Sequence, residues 1–540
     1  MRALLLLILL FPAAHAQPAD PCPLGTAEAV LEGADVRASL FPNGNLFFGG
    51  TTTNGDGYLT PTTGEDAGKS PLFAAGLWVS GLAGSEIRAS GAGYATFAFR
   101  PGLAGDDGAP PTSAECAIAD HIWIVSREDV AAFLRDGTLT DDLRDWPVHL
   151  GAPVLDGDGD STNYDLAGGD QPAIRGDVMA FWAMTDTATD TPFGPLLGTD
   201  VAVEAYSFRS PPGQTIGTAT VYRFTITNRA GVALDDVHAG LFLDPDLGNA
   251  VDNYIGTDTT RAMAFVYNAD NDDDGPTGYG VPPAFGAVVL DSPPSDDGPP
   301  LGMTAATDAY FHSGPSTPPF PPFSVFYSLQ GLWPDGAPMR ARGNGYGEQG
   351  GAPITTFLFT GDPVTGAFWS ERNIDGTGTA HPPGGRRMTL GSGPVTLAPD
   401  ASASWTFALV FAQGSDHLDS VTRLRGNAEQ MHALQAAGYF EPARIVGTST
   451  PPPPAPPLAV RRPSPNPFAG TTALTLRGLA GEAVTLTVTD VLGRTVERRD
   501  VTPTADDVDV ALGAGLAPGV YVVRVAGRGF DLGFPVVKTR

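Results

Sequence analysis

The chain is predicted to be mainly β, with a large antiparallel β-sandwich-type region and a smaller all-β module after it. Three observations predict this. The 540 residues include 68 glycines and 51 prolines, a supply of turn formers that suits many short strands. Apolar residues recur at alternate positions in run after run. Only two segments repeat them every three or four positions, as amphipathic helices do. Hydrophobic residues make up 42% of the chain, enough for a sizeable core, and the length allows about three or four domains.

The first element is a leader. Arg2 supplies a positive charge, Ala3 to Phe11 form an apolar run, and Ala14-His15-Ala16 places small residues where a signal peptidase cuts. Residues 1–16 read as a secretory signal peptide, because a membrane span needs about 20 apolar residues. No later stretch reaches that length, so no transmembrane segment is expected.

Residues 17–445 form an acidic, β-rich passenger, as one large sandwich or two lobes. LFPNGNLFFGG sets an Asn-Gly turn between apolar residues, a hairpin signal. PLFAAGLWVSGLAG and GYATFAFRPG read as short strands ended by glycine, and VAVEAYSF, ATVYRFTITNR and VHAGLFLD as longer ones. In TVYRFTITN, Val221, Arg223, Thr225 and Thr227 share one face, and Tyr222, Phe224 and Ile226 the other. That is the pattern of a half-buried antiparallel strand.

Two helices are expected among these strands. SREDVAAFLRDG has Ser126 as a cap, Asp129 three residues on, and Gly137 as its end. Further on, Leu418, Val421, Leu424, Ala428, Met431 and Leu434 make one apolar stripe, with Gly438 as a stop. This helix should pack on the strand SWTFALVFAQG before it and close the domain.

Residues 446–458 are a proline-rich linker. PPPPAPP at 451–457 is a stiff spacer, spanning roughly 20 Å at about 3.1 Å per residue. Residues 459–540 then carry ten basic and eight acidic side chains, so the preceding chain carries −31 of the total −29. The change of charge marks an independent module. TTALTLRG, AVTLTVTD, RTVERRDV and GVYVVRVAG alternate between turns such as DVLGR and LAPG, which predicts an immunoglobulin-like β-sandwich.

The net charge of −29 and a pI near 4.4 argue against nucleic-acid partners, which need Lys and Arg on phosphates. They suit a soluble surface that recruits cations. Lys69 and Lys538 are the only lysines. Cys22 and Cys116 lie in no CxxC or metal-ligand spacing, and in an exported chain they are candidates for one disulfide.

The tail carries a set of motifs in a defined order: Pro465-Asn466-Pro467-Phe468, the strand Val484 to Val488, and Asp490-Val491-Leu492-Gly493-Arg494. Leu516-Ala517-Pro518-Gly519-Val520-Tyr521 follows, and Val536-Val537-Lys538 closes the chain. Together they resemble the type A C-terminal sorting domain of the type IX secretion system. Physically, Pro465 to Pro467 form a rigid turn and Phe468 a core plug. Gly493 and Pro518-Gly519 serve tight turns. The resemblance implies export across the inner membrane by the leader and across the outer membrane by recognition of the tail. It implies as partners the type IX machinery and a surface peptidase that cuts around Gly447 to Pro463. The passenger would then be released, or held on anionic lipopolysaccharide at the outer face of the outer membrane. LWVSGL, CAIADHIWIVSREDV, DWPVHLGAP, GDQPAIRGD and FLDPDLGNAVDNYIGTDTTRAMAFVYNADNDDDG resemble a family of large exported proteins bearing this tail. That likeness supports location and fold, not chemistry.

Carboxylates cluster in three loops. Asp156, Asp158 and Asp160 alternate, followed by Asn163, Asp165 and Asp170. A flexible loop with this spacing can wrap calcium, which takes six to eight oxygens. Ser161 replaces the glycine of a helix-loop-helix hand and no glutamate follows, so the expectation is a calcium-type loop on a β scaffold. Asp244, Asp246, Asp252 and Asp258 form a second candidate ion site. Asp270, Asp272, Asp273 and Asp274 read as a solvated run, with calcium as the lesser alternative.

Enzymatic signatures are sparse. HExxH, GxSxG and phosphate-loop motifs do not occur. Cys116 precedes His121 by five residues, which suits a disulfide or buried thiol better than a nucleophile. His149 sits near the first acidic loop as a further possible ligand. Glu204 and Glu371 are the candidates for a hydrolytic carboxylate pair. Trp333, Trp369 and Tyr346 are candidates for sugar contact, although most such side chains belong to cores. The expected function is a type IX-exported surface or secreted protein whose calcium-stabilised passenger binds an extracellular ligand without catalysis. The alternative is a secreted polysaccharide-active hydrolase. A structural layer protein, self-associating on calcium, is the third reading.

Overall fold

The computed structural model describes residues 22–48, 57–94, 96–160, 163–188, 194–210, 215–295, 298–308, 321–347, 351–374, 376, 382–445, 460–477, 483–490, 494–505, 507–527 and 530–539. The expected leader, the linker and Gly493 lie outside these residues.

Among the described residues, the passenger is built on two antiparallel sheets, one of ten strands and one of nine. The first centres on Ala74–Ala83, Leu234–Asp244 and Met388–Leu397, where Leu241 pairs with Leu77 on one side and Leu390 on the other. The second runs through Val178–Thr185, Thr199–Ser207, Thr220–Asn228, Ser402–Ala412 and Ala284–Asp291. Phe224 faces Trp405 across one ladder of that sheet. Leu77, Leu241 and Leu390 bury against Trp182, Phe224 and Phe407, so the two sheets share a single core. The mainly β prediction is met, and the sandwich arises because each sheet must hide one apolar face.

The outer faces are covered by helices. The described residues include α1 (Ser113–Ala119), α2 (Arg127–Asp136), α3 (Asp141–Arg144), α4 (Pro322–Leu329) and α5 (His417–Ala436). Helix α2 is capped as expected: Ser126 accepts from Asp129 N, Asp129 reciprocates, and Gly137 ends it at φ 79°. Helix α5 lays Val421, Leu424, Ala428 and Met431 on the second sheet. Leu418, at its first turn, is only half buried. Val325 and Leu329 of α4 cover Trp78 and Phe242 on the first sheet, whose rings stack at 5.1 Å. On the second sheet, Val178–Thr185 is buried on both faces, with Met179 and Phe181 packed in the layer of Val130 and Ala131 from α2. The Asn43-Gly44 turn forms with Gly44 at φ 87° and Leu40 paired to Leu46.

Among the described residues, the tail is a sandwich of a three-stranded and a four-stranded sheet. Phe468, Leu474, Leu486, Val488, Val523 and Val525 fill the space between them. Val460–Ser464, Asp507–Leu512 and Phe530–Lys538 are strands beyond those expected from alternation.

Candidate functional site

The first acidic loop sits at the tip of a two-stranded ribbon. Val154 pairs with Pro172 and Leu155 with Gln171, which leaves residues 156–170 as the connection. Carboxylate oxygens of Asp156, Asp158 and Asp170 come within 4.8 Å of one another. The loop is wound by its own backbone. Asp170 accepts Gly157 N at 2.8 Å and Asp165 N at 2.7 Å, and Asp156 accepts Gly159 N at 2.7 Å. Those two amides, with Arg444 nearby, hold the Asp170 carboxyl below the usual carboxylate range. Asp160 and Asp165 stand outside the trio. Asp160 gives its N–H to Asp158, Asp165 accepts Ala167 N, and Asn163 donates to Asp158 Oδ2 at 3.3 Å. His149 is exposed on a short turn and is not part of the cluster.

The second set is split: Asp244 and Asp246 stand near each other, while Asp252 and Asp258 are engaged elsewhere. Asp258 caps a short turn and is paired with Arg261 at 2.7 Å and Arg425 at 3.3 Å. Asp244 is buried against Arg387 at 3.1 Å and the Tyr94 hydroxyl. Asp246 lines a cleft of about 400 Å³ with Lys69, Ser70 and Phe73. Burial, and then Asp244, push its carboxyl up to about 7. Asp252 accepts Asp274 N at 3.0 Å. The third run is not simply solvated. Asp273 is buried, accepts Tyr279 N at 2.6 Å and Asn249 N at 3.0 Å, and is pushed to about 6 by burial. The chain reversal at 245–249 brings it there, a pairing that sequence spacing does not display.

The residues considered for catalysis are otherwise engaged. Cys116 is bonded to Cys22, with Cα atoms 5.8 Å apart, so it offers no thiol. His121 meets Asp142 at 2.8 Å. Glu204 lies between Arg175 at 3.0 Å and Arg223 at 3.6 Å. Glu371 is fully buried, with Arg386 Nε and Ile255 N both at 2.8 Å. Trp333 and Trp369 are core residues whose indole N–H groups donate to Gly345 O and Gly343 O, so surface sugar contact is excluded for both. Tyr346 is half buried, with its hydroxyl on Asp335 at 2.8 Å.

In the tail, the opening and closing motifs meet. Phe468 is 2% exposed. Its N–H donates to Val537 O at 2.9 Å, its carbonyl accepts Thr539 N at 2.8 Å, and Asn466 Oδ1 accepts Val537 N at 2.8 Å. Pro465, Asn466 and Pro467 form the exposed turn before it. Arg494 grips Asp490 through N at 3.0 Å and Nε at 2.7 Å, closing the hairpin. The Tyr521 hydroxyl donates to Ala517 O at 2.8 Å across the Pro518 bend. Gly519 already belongs to the strand. The positive φ is needed instead at Gly513, φ 82°, where a Cβ would press on the Phe468 ring at 2.6 Å.

Residues 464–530 match the family model described as a secretion system C-terminal sorting domain. The tail is a type IX sorting domain. Export to the cell surface or the medium follows from it, with the type IX machinery as partner. Among the described residues, no helix is long and apolar enough to cross a membrane. No curated protein matches the chain. A solved structure described as a polysaccharide lyase is similar at 9% identity and a TM-score of 0.26, covering 97% of this chain and 47% of that one. The chain thus spans about half the length of that structure, and a likeness this distant carries no functional argument. The sorting domain is the part of the molecule whose function its sequence and fold both express.

Proposed function

We propose that this type IX substrate delivers a non-catalytic binding or structural β-sandwich, braced by calcium at the 156–170 loop, to the outside of the cell. The observation that carries the reading is the convergence of Asp156, Asp158 and Asp170 at the tip of the ribbon. The donor set is all oxygen, as a hard cation requires, and backbone carbonyls and water would complete six to eight ligands. An ion there would order a long loop whose freedom otherwise costs conformational entropy. Extracellular calcium at millimolar levels would suffice for a weak site. The role is structural, the binding partner being an extracellular ligand yet to be found. Tail removal by a surface peptidase, with release or attachment to anionic lipopolysaccharide, completes the route.

The hydrolase alternative draws no support from Glu204 and Glu371, each held by arginine and by different neighbours. The test of the export route is cell fractionation of the intact chain and of a chain lacking residues 459–540. Periplasmic retention of the shortened chain, with the intact one outside, sustains it. A shortened chain that still reaches the surface defeats it. The calcium part is tested by calorimetric titration of the purified chain, where no heat of binding at millimolar calcium defeats that part alone.

A further inference from the structure

We infer that the passenger locks its own C-terminal end at Ile445, so that the bond cut when the sorting domain is removed lies beyond that residue. The inference rests on the reading that the tail is removed, and it adds where the passenger must stop.

After α5 the chain turns at Gly438, φ 68°, and runs to the base of the acidic ribbon. There a single side chain grips both backbone groups of Ile445. Gln171 Oε1 accepts the Ile445 N–H at 2.9 Å, and Gln171 Nε2 donates to the Ile445 carbonyl at 2.9 Å, both buried. The Ile445 side chain is 8% exposed and packs in the layer that holds α5. One residue earlier, the Arg444 guanidinium donates to three carbonyls of the ribbon: Gly169 at 2.6 Å, Asp156 at 2.7 Å and Leu155 at 3.2 Å. Before that, Arg175 donates to Phe440 O at 3.1 Å and meets Glu441 at 3.2 Å. Residues 440–445 are thus tied to three separate places on the passenger.

A protease reads an extended backbone by hydrogen bonding to its N–H and C=O groups. At Ile445 both groups are already taken by a buried amide, and Arg444 has its fork committed. Cleavage at 444–445 must therefore wait for local opening that releases all of these contacts together. The arrangement also keeps α5 anchored at its far end once the tail has gone, so the delivered passenger retains its fold.

The test uses the purified intact chain and trypsin, with fragment masses read by mass spectrometry. Arg444 lies inside the clamp, and no lysine or arginine stands between it and Arg461, which belongs to the strand Val460–Ser464 of the sorting domain. In the wild type, cleavage after Arg444 is expected to be at least about tenfold slower than in chains whose clamp is broken. Gln171→Ala should speed the cut after Arg444 by at least that factor. Arg444→Lys keeps a trypsin site while losing the fork, and it gives the same reading if Gln171→Ala does not fold. Wild-type cleavage after Arg444 as fast as in the variants overturns the inference. So does an exported passenger whose C-terminus precedes Ile445. An exported passenger that keeps its tail overturns only the reading of tail removal, and trypsin still decides the clamp.

Discussion

The ammonium of Lys538 lies 4.9 Å over the ring of Phe468. One of the chain's two lysines thereby seals the residue that plugs the sorting domain, and the last motif of the tail holds the first. The contact sits on a short bridge in which the closing strand pairs beside Phe468. Truncating a buried Phe costs about 3–5 kcal/mol, much of the roughly 5–15 kcal/mol that a small domain has. Phe468→Ala should therefore melt the tail and leave most of the protein in the periplasm. Lys538→Met removes the cation–ring contact and the Nζ hydrogen bond to Gly470 O, together about 2 kcal/mol, and should lower the tail's melting temperature while export persists. Calorimetry of the full chain and fractionation of cells check both. A Phe468→Ala chain exported normally would show that the tail need not be folded to be recognised.

Much of this was legible because each local choice agreed with the fold. Ser126, Asp129 and Gly137 announce α2, and the period of Val421 to Leu434 announces α5. Phe468 reads as a plug because a lone aromatic follows a rigid turn. What stayed hidden depends on contacts between distant segments. Val178–Thr185 shows no alternation because α2 and the ribbon cover one face and the other sheet covers the second. Asp258 looked like an ion ligand until Arg425 arrived from α5 to neutralise it. Asp273 looked solvated, yet the reversal at Asn249 supplies the amide that holds it inside.

Calcium should stabilise the passenger through the ribbon tip. A ligand present at 100 times its dissociation constant stabilises by about 2.7 kcal/mol, which in a domain of this size raises the melting temperature by roughly 2–4 °C or more. Asp158→Asn leaves the turn's backbone bonds largely in place but removes one charge from the trio. It should abolish most of the calcium-dependent shift without lowering the melting temperature in chelator. Equal shifts in the wild type and in Asp158→Asn would place the ion elsewhere.

Asp246 should make the passenger less stable at pH 8 than at pH 5. Its folded value, about 7, lies above the ordinary carboxylate range, because the cleft wall buries it and Asp244 stands beside it. Between the unfolded and folded values the folded chain holds a proton that the unfolded chain has lost. Stability therefore falls as pH rises through about 4 to 7, then levels off. Asp246→Asn removes this slope and should gain about 1–2 kcal/mol relative to the wild type at pH 8, after allowance for solvent in the cleft. Glu371, pushed to about 7, and Asp186 and Asp273, pushed to about 6, all by burial, slope the same way in both proteins and cancel in the difference. Urea midpoints at pH 5 and pH 8 measure it, and identical slopes in the two proteins would refute it.

The Cys22–Cys116 bond should matter more to the passenger than its place near the start of the described chain suggests. It closes a loop of 94 residues in sequence separation, and the chain-entropy account gives such a loop up to about 4–5 kcal/mol, with about 2–4 typical in practice. Cys116 is fully buried in α1. Beside it Asp120 accepts the N–H groups of Thr26 at 2.9 Å and Ala27 at 2.9 Å. The bond and these amides together fasten the leading segment to the helix. Replacing both cysteines by serine should lower the passenger's melting temperature by several degrees, and adding reductant to the wild type should reproduce the loss. Cys116→Ala paired with Cys22→Ala should lose less than the serine pair, because serine leaves an unpartnered hydroxyl in the site of a sulfur. Double variants as stable as the wild type would mean that Asp120 alone fastens the segment, and Asp120→Ala would then carry the whole effect.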